Sequence, residues 1–289
     1  MSNLIELLIG PLRYPFMVRG VVAAVIVGIV CAMVGTYMVL RGMAFLGDAL
    51  AHAILPGVAV GYIVSGGARQ PVFWWGMATA VLTAIGIGAV GKGAQIKEDT
   101  AIGIIFSGMF ALGIALISSM RSYAVDLTHF LFGDVLGVSP ADLWLTGGLG
   151  LLVVVLILIL FKEFLVISFD PVLATTLRMP SNILHYLLMV LIALTIVVSL
   201  QTVGVALMVA MLTTPAATAY LLTKRVAPMM ALGALIGALS GLVGLYLSYY
   251  VGVASGSAIV LVCTSIFLLV LFFAPRRGLV AGWLSARPD

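Results

Sequence analysis

The strongest constraint on this chain is a gap in its charge pattern: the 45 residues from Met179 to Thr223 contain no Asp, Glu, Lys or Arg. Roughly twenty apolar residues cross a bilayer as one helix. This stretch therefore holds two crossings, or one crossing and a buried irregular element. The remainder is similar, with 63% of its 289 residues hydrophobic and 8% charged. A soluble domain carries about 25% charged residues. Spanning backbone must satisfy its own hydrogen bonds, and the pattern is helical, so the expected fold is an all-α polytopic membrane protein surrounded by membrane lipid. The net charge of +4 is scattered over loops and offers no basic face, which excludes nucleic acid as a partner. Cys31 and Cys263 lie in separate apolar stretches and read as packing residues. Glu6, Pro11 and Pro15 stand near the N-terminus without a small-residue cleavage site, so no secretory signal is expected there.

Within one membrane domain over 1–289, spans are predicted at about 18–40, 44–65, 73–90, 101–120, 143–161, 182–200, 229–250 and 258–273. Arg41-Gly42 turns the chain after the first, and Asp99 or Thr100 reads as the N-cap of the fourth. Gly57 with Gly61, and Gly233 with Gly237 and Gly241, form small-residue faces for close helix packing. Asp170 and Pro171 read as cap and first residue of a short helix outside the core. The polar stretch Arg121–Asp142 reads as a short helix against the membrane or the bundle, with Asp126, His129 and Asp134 as solvated or capping groups. His185 reads as an isolated interfacial imidazole, and Glu98-Asp99 as favourable charge at a helix start or a contact for a docking protein. Residues 203–225 include Thr213-Thr214-Pro215-Ala216-Ala217 and read as a broken helix. Whether this element crosses decides between eight and nine spans.

Inside the second span, Asp48, His52 and Pro56 recur every four residues and so share one helix face. Pro56 has no amide hydrogen, which removes the intrahelical bond of the His52 carbonyl. Carboxylate, imidazole and carbonyl oxygen are all ligands for a divalent Mn, Fe or Zn ion. An Asp at mid-bilayer costs about 2.5–3.5 kcal/mol on the insertion scale, so it needs a partner, a pore or an ion. Two readings stand on the spacing alone: an ion-handling stripe, or a buried Asp–His pair that locks two helices.

The run from Leu40 to Gly57, LRGMAFLGDALAHAILPG, closely resembles the signature of permease subunits of bacterial manganese/zinc/iron ABC importers. So do Glu98–Ser107, Phe132–Leu136 and Val203–Ala210 running into Pro215-Ala216-Ala217. The resemblance implies a type II importer-like permease in the bacterial cytoplasmic membrane, working as a homodimer. It implies two copies of a cytoplasmic ATPase and an extracytoplasmic metal-binding protein as partners, and a transported Mn, Zn or Fe ion with no resident cofactor. It also implies that Asp48 and His52 line the translocation path, with Pro56 and Gly57 at its kink. Thr213, Thr214, Pro215, Ala216, Ala217, Lys224 and Arg225 are similar to an ATPase-coupling element. By that analogy the chain has eight spans, both termini in the cytoplasm, and Asp48 and His52 toward the outer half of the membrane.

Charge counting leaves the topology open. Eight spans place nine Lys and Arg on the side of the termini against five, while nine spans place ten on the C-terminal side against four. Either count puts the C-terminus in the cytoplasm. The chain lacks a Gly-rich loop ending in Lys-Ser/Thr, so it is not expected to hydrolyse ATP. Two rivals remain. A stand-alone secondary transporter or channel would use Asp48 as its coupling site, although no clear internal repeat supports it. An intramembrane metalloenzyme would need a third protein ligand.

Overall fold

A computed structural model describes Glu6, residues 9–66, 69–119 and 135–274. Asp126, His129, Asp134 and the polar C-terminal tail lie outside the described residues. The described chain forms twelve α-helices: α1 (Pro15–Leu40), α2 (Leu46–Ala53), α3 (Leu55–Ser65), α4 (Arg69–Gly93), α5 (Glu98–Ser118), α6 (Pro140–Ile159), α7 (Phe161–Phe169), α8 (Pro171–Thr176), α9 (Ser181–Val203), α10 (Val205–Leu222), α11 (Val226–Val251) and α12 (Ser255–Phe273). By length and composition, nine helical segments among the described residues suffice to cross a membrane, α2 and α3 counting together as one.

Residues without bulk fix the central packing. α1 and α11 run antiparallel, with Gly237 against the Gly28 backbone, Gly241 against Ala24 and Gly233 against Ala32. Such approach is open only to residues lacking a side chain, and it replaces hydrophobic driving force, which is weak between helices in lipid. Gly57 and Gly61 similarly seat α3 on α4 at Trp75, Thr79 and Val72. Both predicted small-residue faces are therefore helix contacts.

The bundle has two chemically distinct ends. One gathers Arg41, Lys92, Glu98, Asn182 and His185, joined by hydrogen bonds. The other gathers Tyr14 with Tyr249 and Asp142 with Gln201. Following the helices between these ends, the connections bearing Arg41, Lys92, Lys97, Lys162, Arg178, Lys224 and Arg225 fall at the first, hereafter the basic end. Arg13, Arg19 and Arg69 fall at the other.

The segment expected to be a broken element is one continuous 18-residue helix, α10, with Pro215 inside it. The Oγ1 of Thr213 donates to the Val209 carbonyl at 3.0 Å and that of Thr218 to the Thr214 carbonyl at 2.7 Å. Packed against α1, α11 and α12, the helix tolerates its proline, as spans supported by neighbours and by Ser/Thr side chains do. The backbone break falls earlier, at Gly204, whose φ of 81° and ψ of 171° belong to a region essentially reserved for glycine. Among the described residues nine candidate crossings therefore stand against the eight preferred by analogy, and α1 begins and α12 finishes at opposite ends of the bundle.

Candidate metal path

α2 leaves the basic end after a tight turn in which Gly42 adopts a φ of 70°. Asp48 lies in its first turn and His52 in its last. The pair thus occupies the part of the span nearest the basic end. Pro56 does break the helix: α2 stops at Ala53 and α3 begins at Leu55. The His52 carbonyl, expected to be free, is met by the amide of Ile54 at the break. Gly113 of α5 packs directly on Leu55 and Pro56, so the break is held from outside. Pro56 and Gly57 are themselves buried and shape the site without facing it.

The imidazole of His52 is fixed on both sides. Its Nδ1 lies 2.9 Å from the Asp48 carbonyl oxygen. A carbonyl only accepts, so Nδ1 carries the proton and Nε2 keeps its lone pair. The same Nδ1 is 3.6 Å from Asp48 Oδ1, too far for a hydrogen bond, which leaves the carboxylate free of its neighbour. Phe106 and Phe110 of α5 meet the ring edge to face, at centroid distances of 6.2 and 5.7 Å.

The side chains of His52 and Asp48 are 27% and 41% exposed. A locking pair would be closed within the chain, whereas these two sit on one helix and open outward. The arrangement offers one imidazole nitrogen and one carboxylate, a donor set suited to Mn, Fe and Zn. Among the described residues no group of three or more His, Cys, Asp or Glu is placed to hold a metal. One copy therefore presents two candidate donors on this stripe.

The predicted coupling residues divide. Pro215 and Ala216 are buried in the bundle and Thr213, Thr214 and Ala217 partly so, while Lys224 and Arg225 are exposed at the basic end. Pro215 and Ala216 are helix-packing residues, and Thr213, Thr214 and Ala217 lie part-buried beside them inside α10. Asp170 does cap α8, accepting from the Leu173 amide at 2.9 Å, with Pro171 at the first helical position. Val172, Leu173 and Leu177, beside that cap, are 74%, 45% and 57% exposed. Sequence reasoning missed this apolar surface; its signal was the run Val172-Leu173 in a helix too short to span. His185, read as isolated, is 5% exposed and bonded to Arg41. Glu98, read as a helix-start charge, is paired with Arg41 at 3.0 Å.

Nine helical segments among the described residues long and apolar enough to cross a membrane, one of them bearing a half-open Asp–His stripe, describe a polytopic membrane protein. The chain belongs to the ABC 3 transport family, which it matches over residues 13–274. It is a permease subunit and not an enzyme; the ATPase of such transporters is a separate subunit. It is 46% identical over 280 residues, 97% of this chain and 94% of the other, to the "Manganese transport system membrane protein MntC" of Halalkalibacterium halodurans. It is 38% identical to a "Probable iron transport system membrane protein" of Haemophilus influenzae, covering 93% of this chain and 98% of that one. Among solved structures, PsaBC from Streptococcus pneumoniae in complex with Fab superposes with a TM-score of 0.81 at 43% identity, covering 95% and 97% of the two chains.

Proposed function

We propose that this chain is the membrane subunit of an ATP-driven importer that carries a divalent transition-metal ion past Asp48 and His52. One observation carries the reading: the Asp48 carbonyl holds the His52 proton on Nδ1, so a free Nε2 and a free carboxylate share one open face. Manganese is the favoured cargo, because relatives of 46% and 44% identity are named for it. Iron follows from a relative of 38% identity, and zinc from the donor set alone. Two ligands per chain make half a site. A homodimer that brings two such faces together would supply four, and the outward opening of the pair supports it.

Among the described residues, seven Lys and Arg at the basic end against three at the other support a cytoplasmic basic end. Asp48 and His52 then lie between the cytoplasmic face and the middle of the membrane, and an extracytoplasmic binding protein would deliver the ion at the opposite end. Glu98 and Asp99 fall on the cytoplasmic side, away from any such protein. The cytoplasmic ATPase would dock on the exposed Val172, Leu173 and Leu177 of the α8 region together with Lys224 and Arg225.

The test is uptake of radiolabelled manganese, iron and zinc by cells expressing the subunit with its ATPase and binding protein. Asp48→Ala and His52→Ala are expected to abolish uptake while membrane insertion and dimerisation persist. Normal uptake by both variants would refute the path. Undiminished transport without any ATPase would establish a secondary carrier instead.

A further inference from the structure

Arg41 follows the last residue of α1, at the elbow that launches α2. By sequence it is a turn residue that contributes to the charge count. Its side chain is only 12% exposed. The Nη2 atom donates to Glu98 Oε1 at 3.0 Å and lies 2.9 Å from His185 Nδ1. A guanidinium nitrogen has only protons to offer, so His185 is the neutral acceptor. Burial pulls the Arg41 guanidinium below its ordinary value and the Glu98 carboxylate opposes that shift; it stays charged.

The three partners come from three elements that enclose the metal path. Arg41 is seven residues before Asp48 on the way into α2, and Glu98 opens α5, eight residues before the Phe106 that packs on His52. His185 lies near the start of α9. α5 is a rigid rod over the two turns between Glu98 and Phe106, so the Arg41–Glu98 bond sets the position of Phe106 and Phe110 relative to the helix bearing Asp48 and His52. The cluster is not optimised for stability. Arg41 Nη1 is buried without a hydrogen-bond partner, and the ion pair is only part-buried, with Glu98 34% exposed, so it adds little stability to offset that orphan donor. A cluster of that kind serves geometry.

We propose that Arg41 is a positioning residue of the transport cycle: its clasp on Glu98 and His185 holds α2, α5 and α9 in one arrangement around Asp48 and His52, and opening of that clasp couples ATP hydrolysis to passage of the ion. This rests on the importer reading above.

The experiment uses the complete complex of permease, ATPase and binding protein in proteoliposomes, with ATP hydrolysis and manganese uptake measured together. Arg41→Met is expected to retain assembly and hydrolysis while losing uptake by about tenfold or more, the scale on which supporting residues of metal sites act. The charge swap Arg41→Glu with Glu98→Arg is expected to recover uptake. A guanidinium carried at position 98 remains within reach of His185, whose Nδ1 is 3.7 Å from Glu98 Oε1. A parallel fall of assembly, hydrolysis and uptake in Arg41→Met, without recovery in the swap, would show a merely structural residue and overturn the proposal. So would wild-type uptake by Arg41→Met. If Arg41→Met does not assemble, the swap decides: recovered uptake supports the clasp, and its absence or a failure to assemble refutes it. Wild-type complex that shows no ATP-dependent uptake overturns the importer reading and the clasp with it, whereas coupled wild type with an unaffected Arg41→Met overturns the clasp alone.

Discussion

Gly237→Ala tests the contact on which the whole arrangement rests. A Cβ placed on Gly237 would stand 2.5 Å from the Gly28 carbonyl oxygen and 2.9 Å from its carbon, against 3.4 Å for ordinary contact. Both atoms belong to backbone, so no rotamer relieves the clash, and α1 and α11 must part locally by about 0.9 Å, the shortfall from ordinary contact. Overpacking of this kind costs about 1–3 kcal/mol, and alanine returns ~0.5–1 kcal/mol through its better helix propensity. The net expectation for Gly237→Ala is a loss of up to about 2.5 kcal/mol, centred on about 1 kcal/mol. Gly86 in α4 is the control, because its added Cβ meets nothing within 4 Å. There only the propensity remains, and Gly86→Ala should gain ~0.5–1 kcal/mol. Reversible unfolding of the purified protein in mixed SDS–detergent micelles, followed by far-UV circular dichroism, measures both. Opposite signs are expected. A Gly237→Ala protein as stable as Gly86→Ala would refute the close approach of α1 and α11.

Two further outcomes follow from single contacts. Ser139 accepts from the Asp142 amide while its own amide donates to the Asp142 carboxylate, so Ser139→Ala should lower stability by about 1 kcal/mol in the same unfolding assay. Cys31 and Cys263 are both fully buried, and a maleimide should modify neither thiol in the folded protein and both after SDS unfolding; rapid labelling in detergent micelles would contradict the packing.

The sequence made the spans legible because lipid imposes one rule on every residue that faces it. The observed helices differ from the expected spans by up to four residues at an end: some start earlier, as where Glu98 joins α5 as an ion-pair partner, and others stop short, as at Ser118 and Ile159. The topology was harder. A proline after two threonines is a helix breaker in water, yet in α10 neighbouring helices enclose Pro215 and the threonines bond back to the helix. Gly204, which does break the backbone, is one small residue among 32 glycines, and nothing in its neighbours marks it. At the site, the four-residue spacing put Asp48 and His52 on one face, and Pro56 marked the helix break while lying buried away from that face. The Arg41–Glu98–His185 cluster was invisible because its members are 57 and 144 residues apart, and each has a sufficient local explanation as turn, cap or interfacial residue.

The form of the Asp48–His52 pair bears on how an ion could pass without being trapped. In most metal sites a ligating histidine is oriented by a second-shell carboxylate or carbonyl on its other nitrogen. Here the helix itself provides that partner, since the carbonyl four residues back is the Asp48 main chain. No further ionisable residue has to enter the membrane to set the tautomer, and the Asp48 carboxylate stays free for the ion. A site that also had to release its ion would be spoiled by more ligands, because conduction needs binding strong enough to replace water and weak enough to release. For an ion on the proposed path, two donors on a half-open face, braced by Phe106 and Phe110 and not by further charges, would satisfy both demands. Under the proposed clasp, release would depend on how α2 and α5 move against each other, the relation that the Arg41–Glu98 contact is proposed to hold.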